Sequence, residues 1–97
     1  MKERIQNIQQ QEETLDKMES LITEFEAVAE KWQQLQPDYI KLIEYYDSKQ
    51  WIKDYDSSNK GELPAIKCGV LSQDAVYNLI MRVKALSEKL SLYKLII

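Results

Sequence analysis

The stretch LDKMESLITEFEAVAEKW, from Leu15 to Trp32, decides the fold class. Its apolar residues Leu15, Met18, Ile22, Phe25, Ala29 and Trp32 advance in steps of 3, 4, 3, 4 and 3. That spacing keeps them on one face of an α-helix as a heptad seam. Leu21, Val28 and Leu35 form a second column beside the seam. A stripe this wide suits a bundle better than a two-stranded coiled coil. Working outward, residues 3–36 contain no Gly or Pro and are rich in Glu, Gln, Lys and Leu, which are good helix formers. Toward the N-terminus the seam thins to Ile5 and Ile8 among glutamines. At the other end Pro37 is expected to end this helix and open the next, because Pro is tolerated in a first turn and not in an interior.

Beyond Pro37, Tyr39, Leu42, Ile43 and Tyr46 repeat the helical spacing. Ser48 is placed to cap a third, short helix, SKQWIKDY. The run DSSNKGELPAIKCG holds both glycines and the second proline and reads as a long loop. In KCGVLSQDAVY, residues 67–77, Ser72 is a good N-cap, and Asp74 places a negative charge in the first turn. Leu71 and Val76 have the spacing of a hydrophobic staple, and Gly69 supplies a bend. A last helix follows with its seam at Leu79, Val83, Leu86, Leu90, Tyr93 and Ile97. The expected helices are 3–36, 38–47, 48–56 and 73–96, with a loop at 57–71, in one domain of 97 residues. The fold class is all-α: a small helical bundle with a long N-terminal helix antiparallel to the C-terminal one. Charge agrees with that pairing. Residues 1–36 hold four basic and eight acidic groups, and residues 67–97 hold five and two.

These pieces resemble a small bacterial family known as a domain of unknown function, number 4298. The resemblance rests on the Glu/Gln-rich first helix, on LQPDYIKLIEYYDSKQWIKDY at 35–55, and above all on LPAIKCGVLSQDAVYNLI at 63–80. It covers nearly the whole chain, and GVLSQDAVY is its most specific part. The family more usually carries acidic residues just before GVLS and at position 73, where this chain has Ala65 and Gln73. The resemblance implies a small, helical, intracellular protein with no assigned activity and no functional residues to carry over.

The residues themselves offer little chemistry. There is no histidine, so a nucleophilic role for Cys68 lacks its usual base, and most zinc sites are removed. A calcium loop fails in both registers. Counted from Asp56, Lys67 stands where a bidentate Glu is needed, and counted from Asp54, Ala65 does. Glu12, Asp16 and Glu19 would need Glu-x-x-His partners to hold two metals. No catalytic residue, metal ligand or cofactor is therefore expected, and the chain is not expected to be an enzyme. The net charge of −3 argues against nucleic acid. No run approaches the ~18 apolar residues of a membrane span. With one cysteine and no apolar leader at the N-terminus, the expected location is cytoplasmic.

What remains points to association. Tyr45, Tyr46, Trp51 and Tyr55 cluster in the middle of the chain, and aromatic residues are enriched at interfaces. The favoured reading nevertheless makes them the cap of the core, with hydroxyls reaching solvent. Leu92, Leu95 and Ile96 lie off the last seam and would form an exposed apolar patch. These seven residues are the candidate interface, for another protein or a second copy, with a dimer expected. The alternative function is that of an immunity or antitoxin-like helical protein.

Overall fold

Helix-forming residues run without a break past the point where the proline was expected to stop them. A computed structural model describes residues 1–92. Among them the chain is all-α: α1 (Lys2–Tyr46), α2 (Lys49–Asn59), a short 3-10 turn (Gly69–Leu71) and α3 (Ala75–Leu92). The chain divides into two units, Met1–Tyr39 and Ile40–Ile97.

The first correction concerns Pro37. The helices expected at 3–36 and 38–47 are one helix, α1, with Pro37 in its interior. Proline removes one hydrogen bond, to the carbonyl of Gln33, and crowds that carbonyl with its ring. The seam outweighs this local defect. The seam runs on from Trp32 to Tyr39 and Tyr46, and the second column from Leu35 to Leu42, each in steps of seven. The Trp32 and Tyr39 rings lean together across the proline, with centroids 5.5 Å apart.

In the first unit no α1 residue is buried. Its described side-chain hydrogen bonds are local, for instance from the Thr23 hydroxyl to the Glu19 carbonyl at 2.9 Å.

In the second unit each element has a legible start and stop. Ser48 caps α2: its hydroxyl accepts from the Trp51 N–H at 3.2 Å and donates to the Tyr45 carbonyl. The expected third helix, 48–56, extends to Asn59, so the loop expected at 57–71 is shorter than its sequence implied. Gly61, at φ 71°, ends α2. The Glu62 N–H bonds the Ser57 carbonyl at 3.0 Å and the Gly61 N–H bonds that of Ser58 at 3.1 Å. This is a Schellman ending, which favours glycine because a Cβ resists the left-handed backbone. Ser72 accepts from the Ala75 N–H at 3.2 Å and opens α3. Leu71 and Val76, the expected staple pair, are the two buried apolar side chains among the described residues, 7% and 3% exposed. The part of the last helix expected beyond Leu92, to 96, lies outside the described residues, as do Tyr93 and Ile97 of its seam.

Candidate interaction site

Three of the four aromatic candidates, Tyr46, Trp51 and Tyr55, pack on one another. α2 presents Trp51 and Tyr55 one turn apart. Their rings stack, with centroids 5.2 Å apart and planes 16° from parallel. Tyr46, from the last turn of α1, meets the Trp51 ring edge-on at 5.2 Å and 74°. Such pairs are worth ~0.5–1.5 kcal/mol beyond the area they bury. The polar ends are satisfied within the unit. The Trp51 indole N–H donates to the Val70 carbonyl at 2.8 Å, so the 3-10 turn holds α2. The Tyr46 hydroxyl donates to the Gln73 carbonyl at 3.4 Å, and the Gln73 amide donates to the Tyr55 hydroxyl at 3.0 Å.

Tyr45 is engaged separately. Its hydroxyl donates to the Asp54 carboxylate, which also accepts from the Gln50 amide at 2.8 Å. The Asp54 hydrogen bond, then burial, then the charges of Asp54 and Cys68 push the Tyr45 phenol up to about 12. The same Tyr45 bond, helped by Gln50, holds the Asp54 carboxyl below its ordinary value. Asp54 thus lies inside α2 with each carboxylate oxygen accepting one hydrogen bond.

Reasoning from sequence missed Val70 and Gln73. Val70 acts through its carbonyl, which no side-chain pattern reveals. Gln73 carried a weak signal, as a polar residue just after a cap. Cys68 is half-buried, and its thiol points a hydrogen bond at the Ile66 carbonyl at 3.4 Å.

The apolar surface lies elsewhere. Leu92 is 77% exposed, while Leu95 and Ile96 lie outside the described residues. The α1 seam is open from Leu15 to Trp32: Ile22 is 43% exposed and Phe25 50%, and Val28 of the second column reaches 63%. No helix among the described residues is long and apolar enough to cross a membrane.

An all-helical chain, with one aromatic junction closed on itself and one long helix open along an apolar face, is the class that fold and site define. The chain belongs to the family described as Domain of unknown function (DUF4298), whose model matches residues 8–92. No curated protein and no solved structure matches it.

Proposed function

We propose that this protein is a non-catalytic interaction protein that works by self-association through the apolar face of α1. The observation that supports this reading is the open three-column face, with Leu15, Met18, Ile22 and Phe25 in the seam and Leu21 and Val28 beside it, each between 43% and 63% exposed. Monomers rarely leave a contiguous apolar patch beyond a few hundred Å² uncovered. An isolated helix draws most of its stability from burying such a face. The aromatic cluster at Tyr45, Tyr46, Trp51 and Tyr55 serves a different purpose in this reading, as the joint that holds the second unit together.

The test is light scattering on size-exclusion fractions over a concentration series, with wild type beside Ile22→Glu/Phe25→Glu. Wild type is expected to associate, and the variant to remain monomeric while its second unit keeps its Trp51 environment by fluorescence. Equal association of the two proteins, or a wild type that stays monomeric throughout, would overturn the proposal.

A further inference from the structure

We infer that the α1 face is covered by α3 of a second copy, running parallel to it, with an acidic row of one chain set against a basic row of the other. The inference rests on the self-association just proposed and specifies which elements meet. Two observations carry it.

The first is charge. Along one side of the α1 seam, opposite the Leu21 and Val28 column, Glu12, Glu19 and Glu26 recur every seven residues. α3 has its own strip at Leu79, Leu86 and Leu90, exposed by 37%, 57% and 48%. The flank of the same face that lies away from Arg82 and Lys89 holds the buried Val76 and the half-buried Ile80 and Val83. Beside the exposed strip Arg82 and Lys89 recur, again seven apart. The acidic row is matched in sign and spacing by the basic one.

The second is direction. In heptad terms the glutamates follow the d positions of α1, and the basic residues precede the a positions of α3. Two such rows face each other when the helices run parallel. A second copy supplies the facing helix, as the self-association just proposed requires. By two-fold symmetry each copy then both gives and receives the contact.

The experiment uses the full chain in two charge-reversed forms, Glu12→Lys/Glu19→Lys/Glu26→Lys and Arg82→Glu/Lys89→Glu. All five positions are exposed, and circular dichroism checks that each variant stays helical. Each alone should dimerise at least about tenfold more weakly than wild type, since every facing pair becomes like-charged. Mixed one to one, they should form a heterodimer close to wild type in affinity, because both of its interfaces regain opposite charges. Sedimentation of the mixture with one variant fluorescently labelled reads this directly. A mixture no tighter than its components would overturn the inference. So would variants that dimerise as wild type does, although self-association through α1 would then stand by some other pairing. A wild type that is monomeric throughout would remove both.

Discussion

Leu21 and Leu71 are the same residue in opposite situations. Leu21 sits on α1 and is 45% exposed, whereas Leu71 ends the 3-10 turn and is 7% exposed. The contrast holds for their surroundings. Residues 2–39 all belong to α1, and the side-chain bonds described there reach no further than one turn. In the second unit, hydrogen bonds join residues 18, 19 and 27 apart in sequence. The difference teaches where each region gets its stability. The second unit closes polar and aromatic groups on one another and is expected to keep its shape without the first. The first has only helix propensity and a large apolar face, and an isolated helix in water is marginal on propensity alone. Its order should therefore depend on what covers it.

The largest break in this comparison should come from Trp51→Ala. That change removes the Tyr55 stack, the Tyr46 edge contact and the bond to Val70. Truncating a large, half-buried aromatic of this kind should cost about 2–4 kcal/mol. Urea unfolding followed by circular dichroism should show early loss of the second unit, at a midpoint independent of protein concentration. If stability falls by less than about 0.5 kcal/mol, the aromatic junction is not what holds the second unit.

Pro37→Ala acts on the first region instead. An interior proline costs a helix about 3 kcal/mol relative to alanine, less whatever a bend recovers. The variant should gain about 1–2 kcal/mol, seen as higher helicity at 222 nm and a higher thermal midpoint. Unlike the Trp51 effect, this gain should grow with protein concentration if α1 is stabilised by its partner. A loss of stability would mean that the proline shapes α1 for something that alanine cannot satisfy.

Pro37 also marks where the sequence was hard to read. The rule that proline stops a helix is local, whereas the apolar face runs on past it through Leu35, Tyr39, Leu42 and Tyr46. Tertiary or partner packing of a face can outweigh a single propensity defect. Ser48, Ser72, Leu71 and Val76 were legible because caps and staples are themselves local, and the structure uses each as the sequence implied. The Gly61 ending of α2 is equally local, and is hidden only because Ser57 to Asn59 look like loop residues. The partners of Tyr46, Trp51 and Tyr55 could not be read. They depend on which backbone carbonyl or amide arrives from the 3-10 turn and the Ser72 region, and composition carries no record of that. The aromatic residues can therefore be read as a core cap or as an interface from sequence, and the cap is the better reading of the two.

The smallest effect should come from the Tyr45–Asp54 pair, and it separates the two regions by pH. The fold favours the neutral phenol, which titrates near 10 in an unfolded chain and at about 12 here. Its contribution is complete below pH 10 and declines as pH rises from 10 toward 12. The fold favours the charged form of Asp54, so that contribution is complete above the ordinary carboxylate range and is lost as pH falls through the lowered value. Tyr45→Phe removes the donor from both relationships. The variant should lose the alkaline slope of stability and soften the acid one, where the Gln50 bond to Asp54 remains. Spectrophotometric titration should show one fewer late-ionising phenol. Because both groups belong to the second unit, only its unfolding should respond. If Tyr45→Phe instead alters the concentration-dependent melting of α1, the two regions are coupled through Tyr45, and the contrast between a self-sufficient unit and a partner-dependent helix would have to be redrawn around that residue.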